Sequence, residues 1–174
     1  LARTYYYMDN YAEAARYASL SLEEGTTELL DYNPIINKNN IPAMVINKQE
    51  IYARFGSIPS QALPVSLDFL RLFGRSDLRL KLFYTNLGDF TFPQRGLTQF
   101  SPEARVVSFG TSVSEMKLII AEAASRNNNL QLALDHLNDL RMFRTASADY
   151  LPFHSSDREV VLERVLLERR LELA

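Results

Sequence analysis

Two stretches of this chain, offset by 119 positions, repeat one helix–turn–helix pattern, and that repeat limits the fold more than any other feature. Leu1-Ala2 aligns with Ile120-Ala121, Asn10-Tyr11 with Asn129-Leu130, Ala14 with Ala133 and Ala18 with Leu137. Each copy places a small residue on both helices where they would cross, so the two backbones can approach closely. In the first copy Tyr11, Ala14, Ala15, Ala18 and Leu22 share a helical face. Asn10 with Glu13 makes a capping-box pattern, and Gly25 suits the left-handed position that ends a helix. In the second copy Ser112 with Glu115 opens a helix striped by Met116, Ile119, Ile120 and Ala123. Asn127-Asn128-Asn129 breaks it, and Leu130, Ala133, Leu134, Leu137 and Leu140 stripe the next. A third box, Ser156 with Glu159, starts a helix carrying Val161, Leu162, Val165 and Leu166. That helix is apolar over much of its girth and is expected to be packed on two sides.

Repeats of this kind bury their faces by stacking on one another. The first copy also fits the tetratricopeptide pattern. Asp9-Asn10-Tyr11-Ala12-Glu13-Ala14 resembles that repeat's inter-helix turn, with Ala2 placed twelve positions before Ala14. The expected fold is all-α: tetratricopeptide-like helix–turn–helix pairs with a long, irregular, loop-rich insertion holding minor short strands. The expected organisation is a single region over residues 1–174, with a helix-pair remnant at 1–25, the variable insertion at 26–111 and a helical motif region at 112–174. Both ends stop inside helical patterns, so the chain reads as truncated at each end. Within the insertion, extended runs are expected at Pro42–Ile46, Leu80–Thr85 and Arg105–Phe109, and a short helix over Ser66–Phe73. Aromatic side chains, from Tyr52 and Phe55 to Phe100 and Phe109, argue against disorder there.

The net charge of −2 offers no basic excess to neutralise phosphates, so nucleic acid is not an expected partner. The chain has no cysteine, which excludes disulfides and thiolate ligands. Of the two histidines, His136 falls beside Asp135 on the outer face of its helix and His154 lies in a loop; neither has a third ligand in view, so no metal site is expected. No Gly-rich phosphate loop, serine elbow or HExxH sequence is present, and no cofactor is expected. No apolar run is long enough to span a bilayer.

The C-terminal part carries a family resemblance. Glu115-Met116-Lys117-Leu118-Ile119-Ile120-Ala121-Glu122-Ala123 resembles the "EMxLIxAEA" helix of SusD/RagB proteins. Ala133-Leu134 through Leu137-Asn138-Asp139-Leu140-Arg141, continued by Arg144, resembles their "ALxxLNxLR" segment. Glu168-Arg169-Arg170-Leu171-Glu172-Leu173-Ala174 resembles "ERRxELA", and Asp77-Leu78-Arg79 resembles the family's "DxR". The resemblance implies an outer-membrane, surface-exposed lipoprotein that binds a glycan or other nutrient without catalysis. It also implies delivery of that ligand to a TonB-dependent, SusC-like transporter. Contact with the membrane would run only through a lipid anchor outside this chain.

Glu168 and Glu172 could be read as the acid/base pair of a glycosidase. The structural alternative is that Glu115, Glu122, Asn138, Arg141, Glu168, Arg169 and Glu172 hold the helices together, for example through Arg164 with Glu168 and Glu122 with Arg141 or Arg144. The structural alternative is expected, and no catalytic residue is assigned. Sugars present apolar C–H faces and hydroxyl rims, so their sites pair aromatic rings with polar donors and acceptors. The stretch from Tyr84 to Arg95 has that composition, and Tyr84, Asn86, Asp89, Phe90, Phe92 and Arg95 are the candidate ligand contacts; Asn37 to Asn40 is a weaker one. A rival reading is a tetratricopeptide-type scaffold that binds a peptide or protein partner.

Overall fold

The computed structural model describes residues 1–35, 40–42, 47–53, 55–57, 63–86, 98–100, 106–108 and 110–173. In chain order the elements are α1 (Ala2–Tyr7), α2 (Tyr11–Glu24), β1 (Glu50–Tyr52), β2 (Phe55–Ser57), β3 (Leu63–Pro64), α3 (Leu67–Leu70) and α4 (Leu78–Phe83). There follow β4 (Tyr84–Asn86), β5 (Thr98–Phe100), β6 (Val106–Ser108), β7 (Thr111–Ser112), α5 (Val113–Arg126), α6 (Leu130–Met142) and α7 (Arg158–Leu173). The fold is all-α with a loop-rich middle, as the periodicity predicts.

The two halves of the repeat adopt one turn. Asp9 and Asn128, at matching positions, both take a left-handed backbone (φ 56° and 57°), which short polar side chains tolerate best after glycine. Asn10 N–H donates to the Tyr5 carbonyl at 3.0 Å and Asn129 N–H to the Ala124 carbonyl at 2.8 Å. Each asparagine then caps the helix it precedes, accepting from Glu13 N at 3.3 Å and from Leu132 N at 3.4 Å. Ala14, Ala18, Ala133 and Leu137 are all fully buried. The small residues therefore sit where the helices cross.

Helix α5 is the hub. One face packs Val113, Met116, Ile119 and Ile120 against Ala2, Ala14, Ala18 and Leu22 of the first pair. Its other face packs Ala121 and Ala124 against Ala133, Leu134 and Leu137 of α6 and Val161 and Val165 of α7. The two repeat copies, far apart in sequence, are thus stacked directly on each other. Helix α7 is packed on two sides as expected: Val161 and Val165 face α5 and α6, while Leu171 joins Phe69, Leu70, Phe73 and Tyr84 of the insertion.

The insertion leaves and rejoins this scaffold through antiparallel ladders. β1 pairs with β7, β2 with β6, and β5 lies between β3 and β4. It is also tied to the turn after α6, where Tyr32 N–H donates to the Phe143 carbonyl (3.1 Å) and Leu78 N–H to the Arg144 carbonyl (2.8 Å).

Four local expectations change. The run Leu80–Thr85 is not extended throughout: Asp77 caps a helical turn by accepting from Arg79 N at 3.0 Å, so α4 runs to Phe83 before β4 begins. An apolar run of six residues carries no decisive period. The last helix starts one residue later than Ser156 implies. Asp157 is its cap, accepting from Glu159 N (2.8 Å) and Val160 N (3.3 Å), and its charge also suits the positive end of the helix dipole. The capping boxes form only in their forward half. The Asn10 N–H is already satisfied, so Glu13 turns to Arg16 (2.8 Å), while Glu115 turns to Arg3 (2.6 Å). Gly25 closes α2 with φ −112°, outside the left-handed region. Its requirement is steric, since a Cβ there would lie 2.8 Å from the Ser21 carbonyl oxygen. Gly25→Ala is accordingly expected to destabilise by about 1–3 kcal/mol, measured by urea denaturation; an unchanged midpoint would refute the close approach. The other expectations fare differently. Val106–Ser108 is a strand and Leu67–Leu70 a helix capped by Ser66 (3.2 Å), whereas the candidate strand at Pro42–Ile46 lies mostly outside the described residues.

Candidate ligand-binding site

Beneath the junction of insertion and scaffold lies a buried ionic cluster. Arg79, projected from α4, donates to Asp77 (2.7 Å), Glu168 (2.6 Å) and Glu172 (2.9 Å). Arg144, fully buried after α6, donates to both Glu172 oxygens (2.7 and 2.9 Å), to the Leu30 carbonyl (2.7 Å) and to Gln49 Oε1 (2.7 Å). Its guanidinium lies 4.0 Å over the Tyr32 ring. Arg164 reaches Glu168 at 3.1 Å from the next turn of α7. Burial alone would push the Glu172 carboxyl up, but the adjoining Arg144 and Arg79 guanidiniums outweigh it and hold it down at about 2. An acid that stays ionised at that pH cannot donate a proton near neutrality. Glu168, also buried, is engaged by Arg79 (2.6 Å) and Arg164 (3.1 Å). Both carboxylates tie α7 to arginines of other segments, Glu168 to Arg79 and Glu172 to Arg79 and Arg144.

Above the cluster opens a cavity of about 550 Å³. Its walls include the rings of Tyr7, Tyr32, Phe83 and Tyr84 and the guanidiniums of Arg3 and Arg169. Tyr7 is exposed, whereas Tyr32 and Tyr84 are buried. Burial pushes the Tyr32 and Tyr84 phenols up to about 12, so both are neutral at physiological pH. Aromatic residues beside fixed charged groups give the cavity a lining for a ligand with both apolar and polar faces.

Residues 113–174 match the model of the SusD family, covering α5, α6 and α7. The similarity to that family is thus carried by the three C-terminal helices. No curated protein matches the chain in sequence. Two solved structures share its fold: a SusD-like carbohydrate binding protein from Bacteroides vulgatus and a SusD superfamily protein from Bacteroides thetaiotaomicron. The first aligns at TM-score 0.71 and 22% identity over 99% of this chain, the second at TM-score 0.72 and 18% identity over 99%. The chain spans 41% and 45% of their respective lengths.

Over the segment that matches this model, the expected structural residues make the following contacts. Glu115 takes Arg3 at the cavity wall (2.6 Å). Asn138 clamps the α6–α7 loop in both directions, donating to the Phe153 carbonyl (2.9 Å) and accepting from Phe153 N (2.8 Å). Arg141 braces Asn138 (3.2 Å) and approaches Glu168 (3.9 Å). Glu122 does not buttress Arg141 or Arg144. It accepts from Arg126 one turn away (2.7 Å) and from the Tyr6 hydroxyl (2.9 Å), because α1, not the end of α6, faces that side of α5. Arg169 lies 4.0 Å over the Tyr6 ring.

The candidate ligand contacts divide. Tyr84 borders the cavity, with its ring packed on Phe69 and Phe73; Asn86 ends β4 a short way on. Asp89, Phe90, Phe92 and Arg95 lie outside the described residues, as do Asn37 to Asn39. Sequence reasoning missed Tyr32 and Gln49, which carry no local signal, and named Arg79 without its partners. Among the described residues no helix is long and apolar enough to cross a membrane.

Proposed function

We propose that this chain is part of a non-enzymatic, extracellular nutrient-binding protein of the outer-membrane surface, with a glycan as ligand and a TonB-dependent, SusC-like transporter as the recipient. In this reading residues 1–174 form one unit. The stacked helix pairs are its rigid frame. The insertion, including Tyr84, Asn86, Asp89, Phe90, Phe92 and Arg95, supplies ligand contacts. The observation that carries the reading is the SusD-family match over the three helices that hold the insertion in place. It is supported by the similarity of fold to a protein described as carbohydrate binding and by the aromatic and charged walls of the cavity. The commitment of Glu168 and Glu172 to arginines favours binding over turnover.

The direct stacking of the two repeat copies keeps a peptide or protein ligand as the alternative, because stacked pairs of this type form binding surfaces. Calorimetry on the full-length protein, with a polysaccharide panel and a peptide pool, separates the two. The expected result is saturable binding of one polysaccharide class, with no release of reducing ends. Binding of peptide and of no polysaccharide overturns the glycan reading, and turnover abolished by Glu168→Gln overturns the non-enzymatic one.

A further inference from the structure

The cations of the cavity wall are not equivalent. Arg3 is engaged by both Glu115 oxygens (2.6 and 2.9 Å). Arg79 is surrounded by three carboxylates. Arg169 has neither arrangement. Among the described residues no carboxylate lies within ion-pair distance of it and none of its guanidinium nitrogens has a hydrogen-bond partner; Nη1 is shut away from solvent, which leaves Nε and Nη2 as the donors a ligand could reach. What holds it is the face of Tyr6, 4.0 Å away, which offers no oxygen to its N–H groups. Tyr6 is itself fixed by its hydroxyl bond to Glu122 (2.9 Å), and Arg126 takes the remaining charge of that carboxylate (2.7 Å). Two other buried guanidinium nitrogens lack hydrogen bonds, Nε of Arg141 and of Arg164, but both residues adjoin Glu168. Arg169 is therefore the wall cation whose donors are left for something in the cavity. A planar guanidinium matches a carboxylate or sulfate through paired hydrogen bonds.

We propose that the cavity accepts an acidic saccharide, one bearing a uronate carboxylate or a sulfate, and that Arg169 receives the anionic group while Tyr7 and the neighbouring rings face the sugar. The inference rests on the glycan-binding reading and narrows it. Tyr7, exposed and lining the same cavity as Arg169, gives the apolar sugar face a platform.

The test is calorimetry on the full-length protein with three probes of matched length: an oligogalacturonate, a carrageenan oligosaccharide, which bears sulfate and no uronate, and a neutral malto-oligosaccharide. One of the two acidic probes should bind at least about tenfold more tightly than the neutral one, which identifies the anion as carboxylate or sulfate. Arg169→Gln should weaken the acidic probe by about ten- to a hundredfold, the range for hydrogen bonds to a charged group. Arg169→Lys should recover part of the loss, since it restores the charge without the fork. Equal affinity for neutral and acidic probes overturns this inference and leaves the glycan reading standing, as does an acidic preference that Arg169→Gln leaves unchanged. Failure of every saccharide overturns the glycan reading itself. Should Arg169→Gln lower the melting temperature through loss of the Tyr6 contact, the wild-type preference and the Arg169→Lys affinity decide.

Discussion

Arg144→Met is expected to destabilise the protein by about 3–5 kcal/mol, the range for removing one partner of a buried ion pair. Arg144 has no exposed surface and joins three parts of the chain: Glu172 on α7, and Leu30 and Gln49 in the insertion. Methionine has similar length and no donors. It would leave one side of the Glu172 carboxylate uncompensated and the Leu30 carbonyl without that donor. Each of these losses exceeds the apolar gain of a methionine in the same space. In a chain of this size the change corresponds to a fall in Tm of roughly 10 °C, read by circular dichroism. Arg144→Met combined with Glu172→Gln should be less damaging than the sum of the two single changes, because the unpaired charge has gone. A single variant that melts within about 2 °C of wild type would show that the cluster is not what ties the insertion to the helices.

That cluster marks the limit of what the sequence discloses. The helix pairs were legible because their chemistry is local. Asn10 and Asn129 cap within three residues, Asp9 and Asn128 turn the backbone on their own account, and the buried alanines recur at helical spacing. The SusD-type motifs were legible for the same reason, as strings. What those strings bind to was not. Arg79 meets Glu172 across 93 positions and Arg144 meets Gln49 across 95, and no periodicity announces such pairings. An excess of arginine and glutamate on α7 says that ion pairs will form, without saying which. Glu122 illustrates the error this invites: its expected partners, Arg141 or Arg144 from the neighbouring helix, give way to Arg126, one helical turn away, whose pairing follows from local rules. The insertion was legible as irregular because its apolar residues follow no single period. Its strands are two or three residues long and are fixed by partners such as β7 for β1, which are remote in sequence.

Acid should loosen the protein through one group in particular. The Glu172 carboxyl has an ordinary value of 4.5 and is held at about 2 in the folded chain, against the opposing effect of its own burial, by Arg144 and Arg79. A carboxyl with a depressed folded value contributes stability that is fully present above its unfolded value and is lost as pH falls toward the folded one. The contribution of Glu172 is therefore complete above about pH 5 and fades between about pH 4.5 and 2; at roughly 1.4 kcal/mol per unit it amounts to about 3 kcal/mol. Unfolding free energies measured by urea titration at a series of pH values should drop across this window in the wild type. The drop should be smaller by about 3 kcal/mol in Glu172→Gln, which lacks the titrating group and begins from a lower stability at pH 7. Parallel curves for the two proteins would mean that Glu172 is not held ionised by the arginines, and would remove the main physical argument that this carboxylate is structural.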